Sequence, residues 1–99
     1  MRVEKTINKE AVVITFPEGY VGSALVENLK EISVSDLERD TLIVDLSRAT
    51  HLGSLVFGWL SRVYKTLKKQ DKNAIIISND NIHELLDQVG LSRLFKIVK

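Results

Sequence analysis

The chain has no cysteine and a single proline among its 99 residues. Without cysteine there are no disulfides, thiolate nucleophiles or cysteine metal sites, a composition that suits a reducing cytoplasm. An excess of charge of one sign is also missing, since 14 basic against 13 acidic side chains leave a formal net charge of +1. No general field draws the chain to nucleic acid or to anionic lipid. No apolar run approaches the roughly 20 residues needed to cross a bilayer, and Met1, Arg2, Glu4 and Lys5 do not open a signal peptide. Catalytic patterns are lacking too: there is no glycine-rich phosphate loop, no recognisable Ser, His and Asp nucleophile arrangement and no paired carboxylates in a pocket-forming context. The expectation is a soluble, cytoplasmic, non-enzymatic protein with no cofactor, no metal and no direct membrane insertion, whose partners are recognised by local shape.

What is present is ordinary for one globular domain over residues 1–99, with 44% apolar and 27% charged residues. Val3 to Ile7 and Ala11 to Phe16 are apolar or β-branched runs separated by Asn8-Lys9-Glu10, which predicts an antiparallel hairpin. Pro17 ends the second strand, Glu18 to Gly22 reads as a loop, and Ser23 is placed to cap a helix carrying Leu25, Val26, Leu29 and Ile32. Leu42-Ile43-Val44 and Ala74 to Ile77 are continuous apolar runs of the kind found in strands covered on both faces. Between them, Leu52, Val56, Trp59, Leu60, Val63 and Leu67 form one stripe of a helix from about Leu52 to Lys69. Asp80 is placed to cap a shorter helix with Ile82, Leu85, Leu86 and Val89 inward, Gly90 stops it, and Leu94 to Val98 is a last apolar segment. The expected fold is α/β: a mixed sheet with an N-terminal hairpin and parallel central strands, packed against helices.

The stretch Thr41 to Gly58, TLIVDLSRATHLGSLVFG, is a strand-to-helix junction. Read with Leu85, Leu86, Gly90, Leu91, Phe95, Lys96 and Ile97, and with Ile43-Val44-Asp45-Leu46-Ser47, it resembles the STAS family of bacterial anti-sigma-factor antagonists and related domains of stress-signalling assemblies and anion transporters. Signalling members of that family carry an Asp-Ser-x-Gly motif after the Asp-Leu-Ser run, and a partner kinase phosphorylates its serine. This chain has no such tetrapeptide. If Gly53 matches the motif glycine, Thr50 and His51 stand for the aspartate and serine. If the helix is matched backwards from the Ala74 strand, Ser54 takes the acceptor position. In place of the Gly-Glu-Leu-Asp-like segment that contributes to kinase contacts, the chain has Pro17-Glu18-Gly19-Tyr20-Val21.

Ser54 falls in the first helical turn, where free backbone N–H groups and the helix dipole favour a phosphate. A serine there also serves as a plain cap, and both readings stand. His51 is the acceptor of the other register or an ordinary turn histidine, with only His83 elsewhere in the chain. Asp45 and Ser47 shape the turn, Asp45 by accepting backbone N–H bonds. Phe57 and Tyr64, at the margin of the core stripe, suit either a wide core or the anchors of an interface. Lys65, Lys68, Lys69 and Lys72 read as a solvated helix end.

The resemblance implies a protein-binding module that docks Thr50, His51, Leu52, Gly53, Ser54, Phe57 and Tyr64 onto a serine kinase or anti-sigma factor and so regulates transcription. The alternative it implies is a STAS subunit without the phosphorylation switch, in a stress-signalling scaffold or a lipid-transport ABC transporter complex. Partner identity and oligomeric state stay open at this level.

Overall fold

The computed structural model describes residues 3–22 and 39–99. The expected helix from Ser23, with Leu25, Val26, Leu29 and Ile32, lies outside the described residues. Along the rest run β1 (Glu4–Ile7), β2 (Val12–Thr15), β3 (Gly19–Val21), β4 (Thr41–Asp45), β5 (Ala49–Leu52), α1 (Ser54–Lys69), β6 (Asn73–Ile77), α2 (Asp80–Gln88), a 3-10 turn (Leu91–Arg93) and β7 (Lys96–Val98).

Five of these strands form one mixed sheet in the order β1-β2-β4-β6-β7. β1 and β2 are the antiparallel hairpin, and the other pairs are parallel. The hairpin turn closes on Asn8, whose Oδ1 accepts from the backbone N–H groups of Glu10 and Ala11 at 2.9 and 2.8 Å. That is the local bonding for which asparagine is favoured in turns.

Burial alternates along the strands, which corrects the expectation of strands covered on both faces. Val12, Ile14, Leu42, Val44 and Ile76 share one buried face, whereas Val13, Ile43, Ile75 and Ile77 on the other face are only half-buried. A run of apolar residues therefore hides a period-two pattern of burial.

The long helix begins at Ser54 rather than Leu52, and Val56, Trp59, Leu60, Val63 and Leu67 are its buried residues. Their spacing keeps them on one stripe. The Trp59 ring meets Phe16 edge-on, with centroids 6.0 Å apart, so the helix joins the end of β2 in the core. Full burial of a side chain such as Leu60 is worth about 1.5–3 kcal/mol. After Lys69 the chain turns through Asp71 at φ 56°, and Lys72 donates its N–H back to the Leu67 carbonyl at 2.9 Å.

Asn79, not Asp80, caps α2, its Oδ1 accepting from the Ile82 N–H at 3.0 Å. Gly90 follows with φ 81°, a left-handed conformation that costs glycine little and other residues more. The chain then returns as β7 beside β6.

Candidate functional site

The parallel strands point their C-terminal ends at one edge of the sheet, and the β4–α1 connection is built there. Asp45 ends β4 and accepts at Oδ1 from the Ser47 N–H at 3.0 Å and the Ser47 hydroxyl at 2.6 Å. Such an Asx turn fixes the first bend without using a helix or strand bond. Asn79 then holds the bend from the neighbouring connection: its Nδ2 donates to the carbonyls of Ser47 and Ala49 at 3.0 and 2.8 Å. One amide thus caps α2 and pins the loop after β4.

The chain next forms β5, where a turn was expected. β5 pairs in parallel with β3, within the segment expected to be a loop, and the register shifts between Gly19 and Tyr20. This small second sheet is the support of the site. Gly53 donates its N–H to the Val21 carbonyl at 2.8 Å and takes the N-cap position of α1 in an extended conformation, without a side-chain cap.

Ser54 is therefore the first residue of α1 and not its cap, and its side chain is exposed. No acidic residue lies in the first turn. The positive end of the helix dipole lies at this residue. An added negative charge is favoured at such a position by about 0.3–1 kcal/mol.

Around Ser54 stand two exposed apolar side chains that sequence patterns did not single out for the site. Leu55 is 56% exposed and Tyr20 is 62% exposed. The Tyr20 ring stacks on His51, with centroids 5.6 Å apart and planes 13° apart. It also lies over Gly22 and Gly53: a methyl group at Gly53 would come within 2.8 Å of the Tyr20 hydroxyl, and one at Gly22 would collide with ring atom Cε1. Two glycines make room for one aromatic ring. The Tyr-Val-Gly run was the one local signal of this, and it gains meaning only when β3 meets β5.

The residues expected to bind a partner fall in four different settings. Thr50, His51, Gly53 and Ser54 share the turn, with Thr50, His51 and Ser54 exposed and Gly53 partly so. Leu52 is 1% exposed and belongs to the core beneath them, so it supports the surface without forming it. Phe57 is half-buried against the core. Tyr64 is away from the turn: two helical turns further along α1, it packs its ring on Phe95 at 5.8 Å.

Among the described residues no group of three or more His, Cys, Asp or Glu side chains is placed to hold a metal. His83 sits on α2, apart from His51 in β5. No helix of the described residues is long and apolar enough to cross a membrane.

Several solved structures share this architecture. The chain is similar to the anti-sigma factor antagonist SpoIIAA in its unphosphorylated form, with 18% identity, a TM-score of 0.80 and coverage of 98% of this chain and 88% of that one. A putative anti-sigma factor antagonist from Thermotoga maritima is similar at 16% identity and TM-score 0.82, over 98% of this chain and 86% of that one. The phosphorylated form of the Bacillus cell fate determinant SpoIIAA is similar at 16% identity and TM-score 0.74, over 98% and 91%. No curated protein sequence matches the chain. At these identities the likeness establishes the fold. The model of the STAS domain matches residues 2–99, nearly the whole chain. With its mixed sheet, its hairpin and its helix-opening turn, this chain belongs to the STAS domain family.

Proposed function

We propose that the chain is an anti-sigma-factor antagonist-like binding module that docks the surface around the α1 N-terminus onto a protein kinase or anti-sigma factor, and that phosphorylation of Ser54 ends the contact. The carrying observation is Ser54 itself: exposed, first in its helix, uncapped, and flanked by the exposed Tyr20 and Leu55. Tyr20 and Leu55 supply the apolar contact area that a partner would cover, and aromatic side chains are frequent anchors of such surfaces. A phosphate at the centre carries a charge of about −1.5 to −2 and would have to be desolvated on docking.

Two features favour Ser54 over His51 as the acceptor. His51 lies within β5 and is stacked on Tyr20, whereas Ser54 stands at the helix N-terminus. The structural relative SpoIIAA is described in both unphosphorylated and phosphorylated forms, and the reading extends that kind of switch to this chain. The biological setting that follows is transcription control in a bacterial cytoplasm.

The test is affinity capture from native lysate with intact-mass and phosphopeptide measurement of bait and partners, using wild type, Ser54→Ala and Ser54→Asp. A kinase or anti-sigma factor recovered by wild type and Ser54→Ala, lost by at least about tenfold with Ser54→Asp (about 1.4 kcal/mol), and phosphate on Ser54 are the expected results. Recovery of permease, ATPase or scaffold subunits by all three proteins, with unmodified bait, would replace this reading with that of a constitutive subunit.

A further inference from the structure

A groove opens at the far end of α1 from Ser54, about 20 Å away along a helix rising 1.5 Å per residue. It lies where the parallel strands start. Thr41 and Asn73 are paired there, and Lys96 is paired with Ile75 on the neighbouring strand. The cavity measures about 510 Å³, within the roughly 300–1,000 Å³ of small-molecule sites.

Tyr64, Leu67, Ile75 and Leu94 give it an apolar wall. The wall is held in place, since Leu67 is buried and the Tyr64 ring packs on the buried Phe95. Lys68, Lys72 and Lys96 also line it, beside Thr41, Asn73 and Ala74. The lysines come from three separate places, α1, the α1–β6 connection and β7. Among the described residues no acidic side chain lines the groove; Asp40 and Asp71 adjoin Thr41 and Lys72 in sequence but are not part of its wall.

A helix dipole accounts for a lysine in the last turn of α1. It does not account for Lys96, which begins a strand. Lys68 and Lys96 beside an apolar wall are complementary to a molecule with one acidic end and one apolar end. We propose that this groove binds a free amphiphilic acid, with its aliphatic body against Tyr64, Leu67, Ile75 and Leu94 and its acid group at Lys68 and Lys96. Lysine ammonium groups are point charges without the directional fork of arginine, so a carboxylate and a phosphate monoester both satisfy them. The apolar body selects against inorganic anions. The site is distinct from the turn and stands independently of the docking proposal.

Titration of the ¹⁵N-labelled protein with decanoate, decyl phosphate and decanol, followed by amide chemical shifts, tests it. Saturable shifts around Lys68, Asn73, Ile75, Leu94 and Lys96 are expected with both acids, at a dissociation constant below about 1 mM. Decanol should bind at least about tenfold more weakly, and the Lys68→Gln/Lys96→Gln double variant should weaken decanoate binding by a similar factor while Thr50 to Ser54 keep their shifts. Leu94→Glu, at a site already 43% exposed, should abolish binding in a folded protein. Equal binding of decanol, shifts centred at the turn, or no saturable shift would overturn the proposal. So would sedimentation with phosphatidylglycerol vesicles in a protein that ignores free decanoate.

Discussion

Ser78 sits at the end of β6, 3% exposed, with its hydroxyl oxygen lacking any hydrogen-bond partner. Its backbone is better served, the N–H donating to the Val98 carbonyl at 2.7 Å. A buried polar group without a partner costs about 1–3 kcal/mol, and replacing it by an apolar group of similar shape is close to neutral or stabilising. Ser78→Ala should therefore leave stability unchanged or raise it by up to about 1 kcal/mol in urea unfolding. A loss larger than that would mean that the hydroxyl has a partner in solution. Neither Ser78 nor the Tyr20–His51 stack announces itself in the sequence. Serine after a strand reads as a turn residue, and the two rings meet because the β3–β5 pairing, past its register shift, sets Tyr20 opposite His51. Ser54, by contrast, was legible, because its environment follows from its place in the first helical turn.

Among elements, the connection between β4 and α1 and the start of α2 depend on one another through Asn79. Asn79→Ala removes the cap and both donated bonds, at a cost of about 2 kcal/mol. Asn79→Asp keeps an oxygen for the Ile82 N–H but turns a negative charge toward two carbonyls. Hydrogen exchange should separate the two: amides of Ala49 to Leu52 exchange faster in both variants, those in the first turn of α2 only in Asn79→Ala. Equal protection of the turn in wild type and variants would show that the amide does not hold it.

The long helix, the hairpin and the two central strands were readable because each has a local period, a local turn signal or a continuous apolar run. β3 and β5 were not. They have three and four residues, too few to display alternation, and each exists through pairing with a distant segment. The cap of α2 was misplaced by one residue for a simpler reason: Asn79 and Asp80 are adjacent, and both are good capping residues.

At the scale of the whole molecule, the buried residues form one connected core that reaches from Val12 in β2 to Phe95 before β7. Trp59 is the only tryptophan in the chain and lies in that core at 6% exposure. A core without a division should come apart in one step. Urea unfolding followed by Trp59 fluorescence and by far-ultraviolet circular dichroism should give coincident midpoints. Separated midpoints would mean that the elements around α1 open before the rest. The outer strands of the large sheet have a different role. All four residues of β1 are exposed, Glu4 and Lys5 among them, and β7 begins with the exposed Lys96. Charged borders of this kind discourage the addition of a foreign strand. A visiting strand thereby meets an obstacle to backbone-to-backbone annealing at these borders.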